Sequence, residues 1–234
     1  MIAVLPVEGV PEIQQGDDLA AVLGERAQLE DGDVLVVAQK VVSKAEGRVV
    51  RLDDVEPSAQ ARDLAADRDA RELEVVLREA RRLVRTRPPL VIAETRHGFV
   101  CASAGVDHSN AAEPGTLVLL PLDPDASARR LSESLGVAVI VSDSFGRPFR
   151  EGTTDVAIGV AGLAPLLDLR RTRDAAGYEL RTTMIAIADE IAGAAELVMG
   201  KARGVPAAIV RGVDVSGDGT ARELVIPADR DLFR

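Results

Sequence analysis

Aromatic side chains are almost missing from this chain of 234 residues: four Phe, one Tyr and no Trp. Platforms on which the bases of single-stranded nucleic acid could stack are therefore excluded, and the core has to be aliphatic. Cysteine is scarcer still. The single Cys101 rules out an intramolecular disulfide framework and fits a reducing compartment. It lies in the apolar run FVCASAG and reads as a small core residue. Two histidines and one cysteine cannot build a tetrahedral zinc site without carboxylates, so His108 reads as solvated. No apolar run is long enough to span a membrane. The N-terminal MIAVLPVEGV has neither the basic start nor the long apolar core of a signal peptide. The expectation is a soluble, cytoplasmic protein. Neither a Walker A pattern nor a dinucleotide glycine fingerprint occurs, which counts against P-loop kinases, GTPases and Rossmann dehydrogenases.

What is present is a chain that is 47% hydrophobic with a net charge of −10. That suits one large domain or two small intertwined ones, and argues against a general binder of nucleic acid or anionic membranes. Lysine occurs only at Lys40, Lys44 and Lys201; the other basic residues are arginines. The apolar runs IAVLPV (2–7), VLVVA (34–38), LVIAET (90–95), FVCASA (99–104), LVLL (117–120), VAVIV (137–141) and AAIVRG (207–212) read as strands. Helices are expected over 18–25, over 54–88, from Pro124 to Leu135 with Gly136 as the cap, and over 183–200. The fold class is therefore mixed α/β. In the last of these helices Asp189 and Glu196 read as a solvated pair.

Three stretches after strand-like runs carry the chemistry. Gln39, Lys40 and Lys44 follow VLVVA, with the Ser43 hydroxyl between the lysines, a set suited to polyphosphate. Solvated lysines on a surface turn remain the alternative on the residues alone. Asp107 and Asn110 follow FVCASA and both offer oxygens. The richest is VSDSFGRPFREGTTDVAIGVAG (141–162), read as a polar, glycine-punctuated loop between two apolar runs. Asp143 and Ser144 supply a hard oxygen and a hydroxyl, as a Mg²⁺ or Mn²⁺ site needs, and Arg147 and Arg150 flank Pro148 as a possible anion clamp. A solvated turn whose charges pair with one another remains open here too.

That stretch resembles the signature segment of the coenzyme F420:γ-glutamyl ligases. So do VVSKAEG (41–47), CASAGVDHSN (101–110), GYEL (177–180), ELVMGKARGVPAAIVRG (196–212) and the C-terminal LVIPADRDLFR. The family more often has Thr at Ser144, Trp at Phe149 and Gln at Thr153. The resemblance implies a single ligase domain over 1–234, with two intertwined subdomains as the alternative. It implies mixed sheets, an intertwined homodimer and the stand-alone form without an added flavin-reductase-like domain. The implied reaction is GTP-dependent addition of L-glutamate to the deazaflavin precursor of coenzyme F420 through an acyl phosphate. A ligase for another acceptor, or a nucleotide-binding regulatory module without turnover, is the alternative. Implied cations are two Mg²⁺ or Mn²⁺ per subunit, with K⁺ as a further candidate. Catalytic roles fall to Asp143, Asp107 and Lys44, and metal ligation to Asp107, Asp143 and Ser144. Nucleotide contacts fall to Leu5, Pro6, Val7, Glu8, Gln39, Lys40, Lys44, Asn110, Met199, Gly200 and Lys201. Many members have Gln where Lys201 stands, and a protonated lysine cannot ligate a metal.

Overall fold

A computed structural model describes residues 1–109, 111 and 113–232. Its centre is a five-stranded mixed sheet built from β1 (Ala3–Pro6), β2 (Val34–Ala38), β8 (Ala138–Arg147), β9 (Arg150–Ala161) and β12 (Ala207–Arg211). The spatial order is β1-β12-β2-β8-β9. β2 and β8 run parallel, with Val36 opposite Ile140, and the other neighbours are antiparallel. The continuous apolar runs of β2 and β8 are what a strand covered on both faces requires. Val34, Val36, Ile140, Val160 and Val210 face one layer, with α6 (Ile187–Met199). Leu35, Val37, Val139, Val141 and Ile209 face the other, with α1 (Leu19–Gly24), α2 (Gln39–Ala45) and α5 (Pro124–Leu135). Truncating one such Leu or Ile to Ala removes about 2–5 kcal/mol.

Local chemistry explains the helices. The Asp123 carboxylate accepts the Ala126 N–H, Pro124 stands in the first turn of α5, and Gly136 ends the helix at φ 73°. Asp18 caps α1 in the same way. In α6 the inward stripe is Ala188, Ile191, Ala192, Ala195 and Met199, and its small residues bring the helix close to β9. β9 lies at an edge of the sheet, and two carboxylates occupy outward backbone N–H groups there. Asp125 Oδ1 accepts from Val160 N at 2.9 Å, and Asp189 Oδ1 from Ala157 N at 2.9 Å. Asp189 is thus a structural acceptor, not a solvated residue; burial raises its pKa against that N–H bond.

A second, smaller body carries β3 (Val49–Arg51) paired with β7 (Thr116–Val118). It also carries an antiparallel sheet of β4 (Ala80–Arg87), β5 (Leu90–Thr95) and β6 (Val100–Ala102). The helices α3 (Ala59–Ala65) and α4 (Ala70–Glu79) pack on it through Ala61, Ala65, Leu73, Val76, Val91 and Ala93. This corrects the helix expected through residue 88. The helical period stops at Glu79, and ARRLVRTR continues as an edge strand whose arginines face outward. Arg82 meets Glu94 of β5 at 2.7 Å. The Pro88-Pro89 pair turns β4 into β5. Charged side chains on an edge strand discourage further pairing, which accounts for them without a ligand.

The 142–155 segment is likewise not a loop. β8 and β9 stay paired out to Arg147 opposite Arg150, and the register shifts between Val141 and Ser142. Beyond β9, the residues from Leu167 to Ile185 form an arm closed by the short pair β10 (Leu167–Asp168) and β11 (Met184–Ile185). Tyr178 on it is exposed.

Candidate functional site

One cleft of about 330 Å³ gathers residues from five parts of the chain. Val10, Pro11, Glu12 and Ile13 form one wall; Ala38, Gln39, Lys40, Val41 and Lys44 come from the end of β2 and from α2. Ser142, Asp143, Ser144 and Asp155 come from the polar part of the β8–β9 ribbon, and Glu196, Met199, Gly200 and Lys201 from the end of α6 and just beyond it. Parallel β2 and β8 end side by side, Ala38 opposite Ser142, so a ligand there meets both strand ends.

Lys44 is buried, and its Nζ lies 2.5 Å from Glu12 Oε1. Lys40 Nζ reaches Asp107 Oδ2 at 2.7 Å and Ser109 Oγ at 2.8 Å. Asp107 is brought there by a backbone bridge to Val118 of β7. Burial by itself would raise the Asp107 carboxyl, but the Lys40 ammonium and the Ser109 N–H and hydroxyl outweigh it and bring it down to about 2. Lys201 Nζ stands 3.8 Å from the same oxygen. Asp143 behaves in the opposite way. Asp143 lines the cleft and is half-buried. Burial pushes its carboxyl up to about 7; the Ser144 N–H and Lys40 pull against this, and the negative Asp155 and Asp107 add to it. Burial, then Asp155, raises Glu196 as well, against Lys201 and Lys40. Cys101 is buried as expected, its thiol pushed up to about 12 by burial and by Asp143.

Among the described residues, no group of three carboxylate, histidine or cysteine side chains is gathered closely enough to hold a metal ion. The donors nevertheless fit a hard divalent cation in kind. Asp107, Asp143, Asp155, the Ser144 hydroxyl and Glu196 are all oxygen donors around one cleft. Burial is the main reason the Asp143 carboxyl is raised; the negative Asp155 and Asp107 add to it, and a cation would offset that smaller part.

Gln39, Lys40, Lys44, Asp143, Ser144, Met199, Gly200 and Lys201 thus line this cleft together, and Asp107 joins them through Lys40. Leu5, Pro6, Val7 and Glu8 do not line it. Val7 N bonds Ala207 O beside β12, and the stretch that reaches the cleft begins at Val10. Asn110 lies outside the described residues. Arg147 and Arg150 pair across the ribbon's tip, outside the cleft lining, and His108 is half-exposed, 3.3 Å from Glu72. Sequence reasoning missed Glu12, Asp155 and Glu196. For Glu12 no pattern could have signalled it. The pairing of Asp155 with Ser144 was hidden by Gly146 and Pro148, which read as loop residues, and Glu196 was visible only as a carboxylate in the last turns of the helix expected over 183–200.

A sequence profile of the F420-0:gamma-glutamyl ligase family matches residues 9–212, which include nearly all of this cleft. The chain belongs to that family. It is similar to the coenzyme F420:L-glutamate ligase of Methanopyrus kandleri, at 49% identity over 98% of both chains. It is also similar to that of Methanothermobacter thermautotrophicus, at 45% over 100% of this chain and 99% of the other. A third relative, from Archaeoglobus fulgidus, is 43% identical over 100% of this chain and 96% of its own. Lys40 and Lys44 both line the cleft with little exposed surface, so neither is a solvated lysine on a surface turn. No helix is long and apolar enough to cross a membrane among the described residues.

Proposed function

We propose that this chain joins L-glutamate to the deazaflavin precursor of coenzyme F420, consuming GTP and passing through an acyl phosphate. The observation that carries the reading is the meeting, in one cleft, of a cationic group (Lys40, Lys44, Lys201) with an oxygen-donor group (Asp107, Asp143, Ser144, Asp155, Glu196). Ammonium groups suit the phosphates, and hard oxygens suit the cations that accompany them. Gln39 adds a buried side-chain N–H, Nε2, with no partner among the described residues, the kind of donor that a bound acceptor atom satisfies.

The acceptor's carboxylate is a poor electrophile because its oxygen leaves badly. Its oxygen attacks the γ-phosphorus, the bond to the β-phosphate oxygen breaks, and GDP departs. The α-amine of glutamate then attacks the acyl carbon, the carbon–oxygen bond to phosphate breaks, and the amine loses a proton. In the first step Lys44 and Lys40 hold phosphate oxygens, which requires Glu12 to leave Lys44. Gln39 and the backbone at Met199–Lys201 line the nucleotide, and Asn110 is proposed to contact it as well. Mg²⁺ or Mn²⁺, two per chain and held by Asp143, Asp107 and the Ser144 hydroxyl, would supply compensation for charge developing on the transferred group. K⁺ is a further candidate cation. We extend the same reading to a cytoplasmic homodimer, on the family resemblance alone; light scattering at micromolar concentration tests the dimer.

The test of the reaction is mass spectrometry of the precursor incubated with GTP, Mn²⁺ and glutamate. The expected result is the mass of one or more added glutamyl residues, with one GDP and one phosphate for each. Phosphate release without glutamylation of this acceptor points to a ligase for another acid. GTP binding without any phosphate release points to a regulatory module.

A further inference from the structure

We propose that Asp155 is a positioning residue, which accepts hydrogen bonds from both Ser142 and Ser144 and so fixes the Ser144 oxygen with its lone pairs toward the cleft. Asp155 stands on β9 directly opposite Ser144 of β8, and it is 5% exposed. Its Oδ1 accepts from Ser144 Oγ at 2.6 Å, and its Oδ2 accepts from Ser142 Oγ at 2.9 Å. Ser142 is itself buried, so the second bond locks the carboxylate from the core side.

The chemistry follows from a count of protons. A carboxylate only accepts, and a hydroxyl has one proton to give. Both serine protons are therefore spent on Asp155. Ser144 is left able to accept or to coordinate, and unable to donate to a phosphate oxygen. Asp155 in turn has an oxygen committed to each serine, so it serves the site through Ser144 rather than as a free ligand. An oxygen held in one orientation by a charged neighbour is better placed toward a cation than a hydroxyl that rotates freely, the usual effect of outer partners on metal ligands.

This rests on the proposed reading that Ser144 faces a divalent cation, and the test separates the two. Asp155→Asn, Ser144→Ala and the double variant are compared with the wild type. Mn²⁺ binding in the presence of GDP is measured by the electron paramagnetic resonance of free Mn²⁺, alongside GDP affinity without metal and the melting temperature. Asp155→Asn should weaken Mn²⁺ binding about 10- to 100-fold. GDP affinity without metal should stay within about twofold, and the double variant should be no worse than Ser144→Ala alone, because the two act through one atom. The idea is overturned if folded Asp155→Asn holds Mn²⁺ within about twofold of the wild type, or if the two losses add. A wild type that takes up no Mn²⁺ sinks the cation reading instead. Coupling of the same two substitutions in the KM for GTP then decides the positioning role: coupled losses uphold it, additive losses reject it.

Discussion

The β8–β9 ribbon holds two different chemistries on one hydrogen-bonded ladder. Toward its root, Val139, Ile140, Val141, Ile158 and Val160 are essentially without solvent exposure. Toward its tip, Ser142, Asp143, Ser144 and Asp155 line the cleft. The register shifts at the border, between Val141 and Ser142, as such irregularities do where a strand has to re-aim its side chains. The polar part has little core of its own. It holds its place because the aliphatic part fixes the register, and a slip of one residue would turn every side chain to the wrong face. The contrast teaches that position and reactivity are supplied by different residues of the same strands, so each can be broken without the other.

The largest effect is expected at the root. A Cβ on Gly159 would lie 2.2 Å from Pro124 O and 2.5 Å from its carbonyl carbon, at the start of α5. Neither atom belongs to a flexible side chain, so Gly159→Val should cost about 3 kcal/mol or more through overpacking, and little folded protein should be recovered at 37 °C. A melting temperature close to the wild type would show that the root tolerates displacement. Next comes Asp143→Asn in the polar part. Turnover should fall about 100- to 1000-fold, GTP affinity by much less, and the melting temperature should hold or rise, because a neutral amide replaces a carboxyl that burial raises to about 7. Equal losses in GTP affinity and turnover would restrict Asp143 to nucleotide binding.

Smaller effects sharpen the boundary. Glu12→Gln removes the carboxylate that pairs with Lys44. GTP should bind about two- to fivefold more tightly, since an exposed carboxylate's competition is worth up to about 1 kcal/mol; weaker binding on calorimetry would make Glu12 a ligand contact instead. Away from the ribbon, Asp33 is buried and its carboxyl lies below the usual range. The Arg211 hydrogen bonds are the main cause, opposed by burial and supported by the Glu30 N–H. A depressed folded pKa gives stability that is present above the ordinary carboxylate range and lost as pH falls through the folded value. The melting temperature of Asp33→Asn should therefore lie below the wild type at neutral pH, and the gap should close as pH falls below about 4. A gap that persists in acid would mean shape and not charge holds Arg211. Arg147→Ala, at the solvated tip, should change neither melting nor turnover.

The elements easiest to read from sequence were those whose signals are local. Asp123-Pro124 and Gly136 bracket α5 within a dozen residues, and VLVVA reads as a buried strand from its own composition. β4 was misread because Arg81, Arg82, Arg85 and Arg87 follow a true helix without a breaker, and an edge strand with exposed arginines has no apolar alternation to announce it. The polar reach of β8 and β9 was hidden by Gly146 and Pro148, ordinary loop residues whose neighbours here are paired across a ladder. Within the cleft, Asp143, Lys40 and Lys44 were legible because each follows a strand-like run. Glu12 was not. Its meeting with Lys44 joins residues 32 apart, and only the packing of the N-terminal segment over α2 decides it.

The exposed Tyr178 has a consequence for how this molecule can be watched. With no tryptophan in the chain, ultraviolet emission comes from that one phenol. It sits on the arm between β10 and β11, which the Asp174 carboxylate steadies by accepting the Tyr178 N–H at 2.9 Å. Intrinsic fluorescence therefore reports the arm and is nearly blind to the aliphatic core. On global melting that signal will follow only the release of the arm and the ordinary thermal quenching of a phenol while circular dichroism collapses, and a change in lifetime or anisotropy on adding substrate will be a local message from the arm, free of background from the rest of the chain.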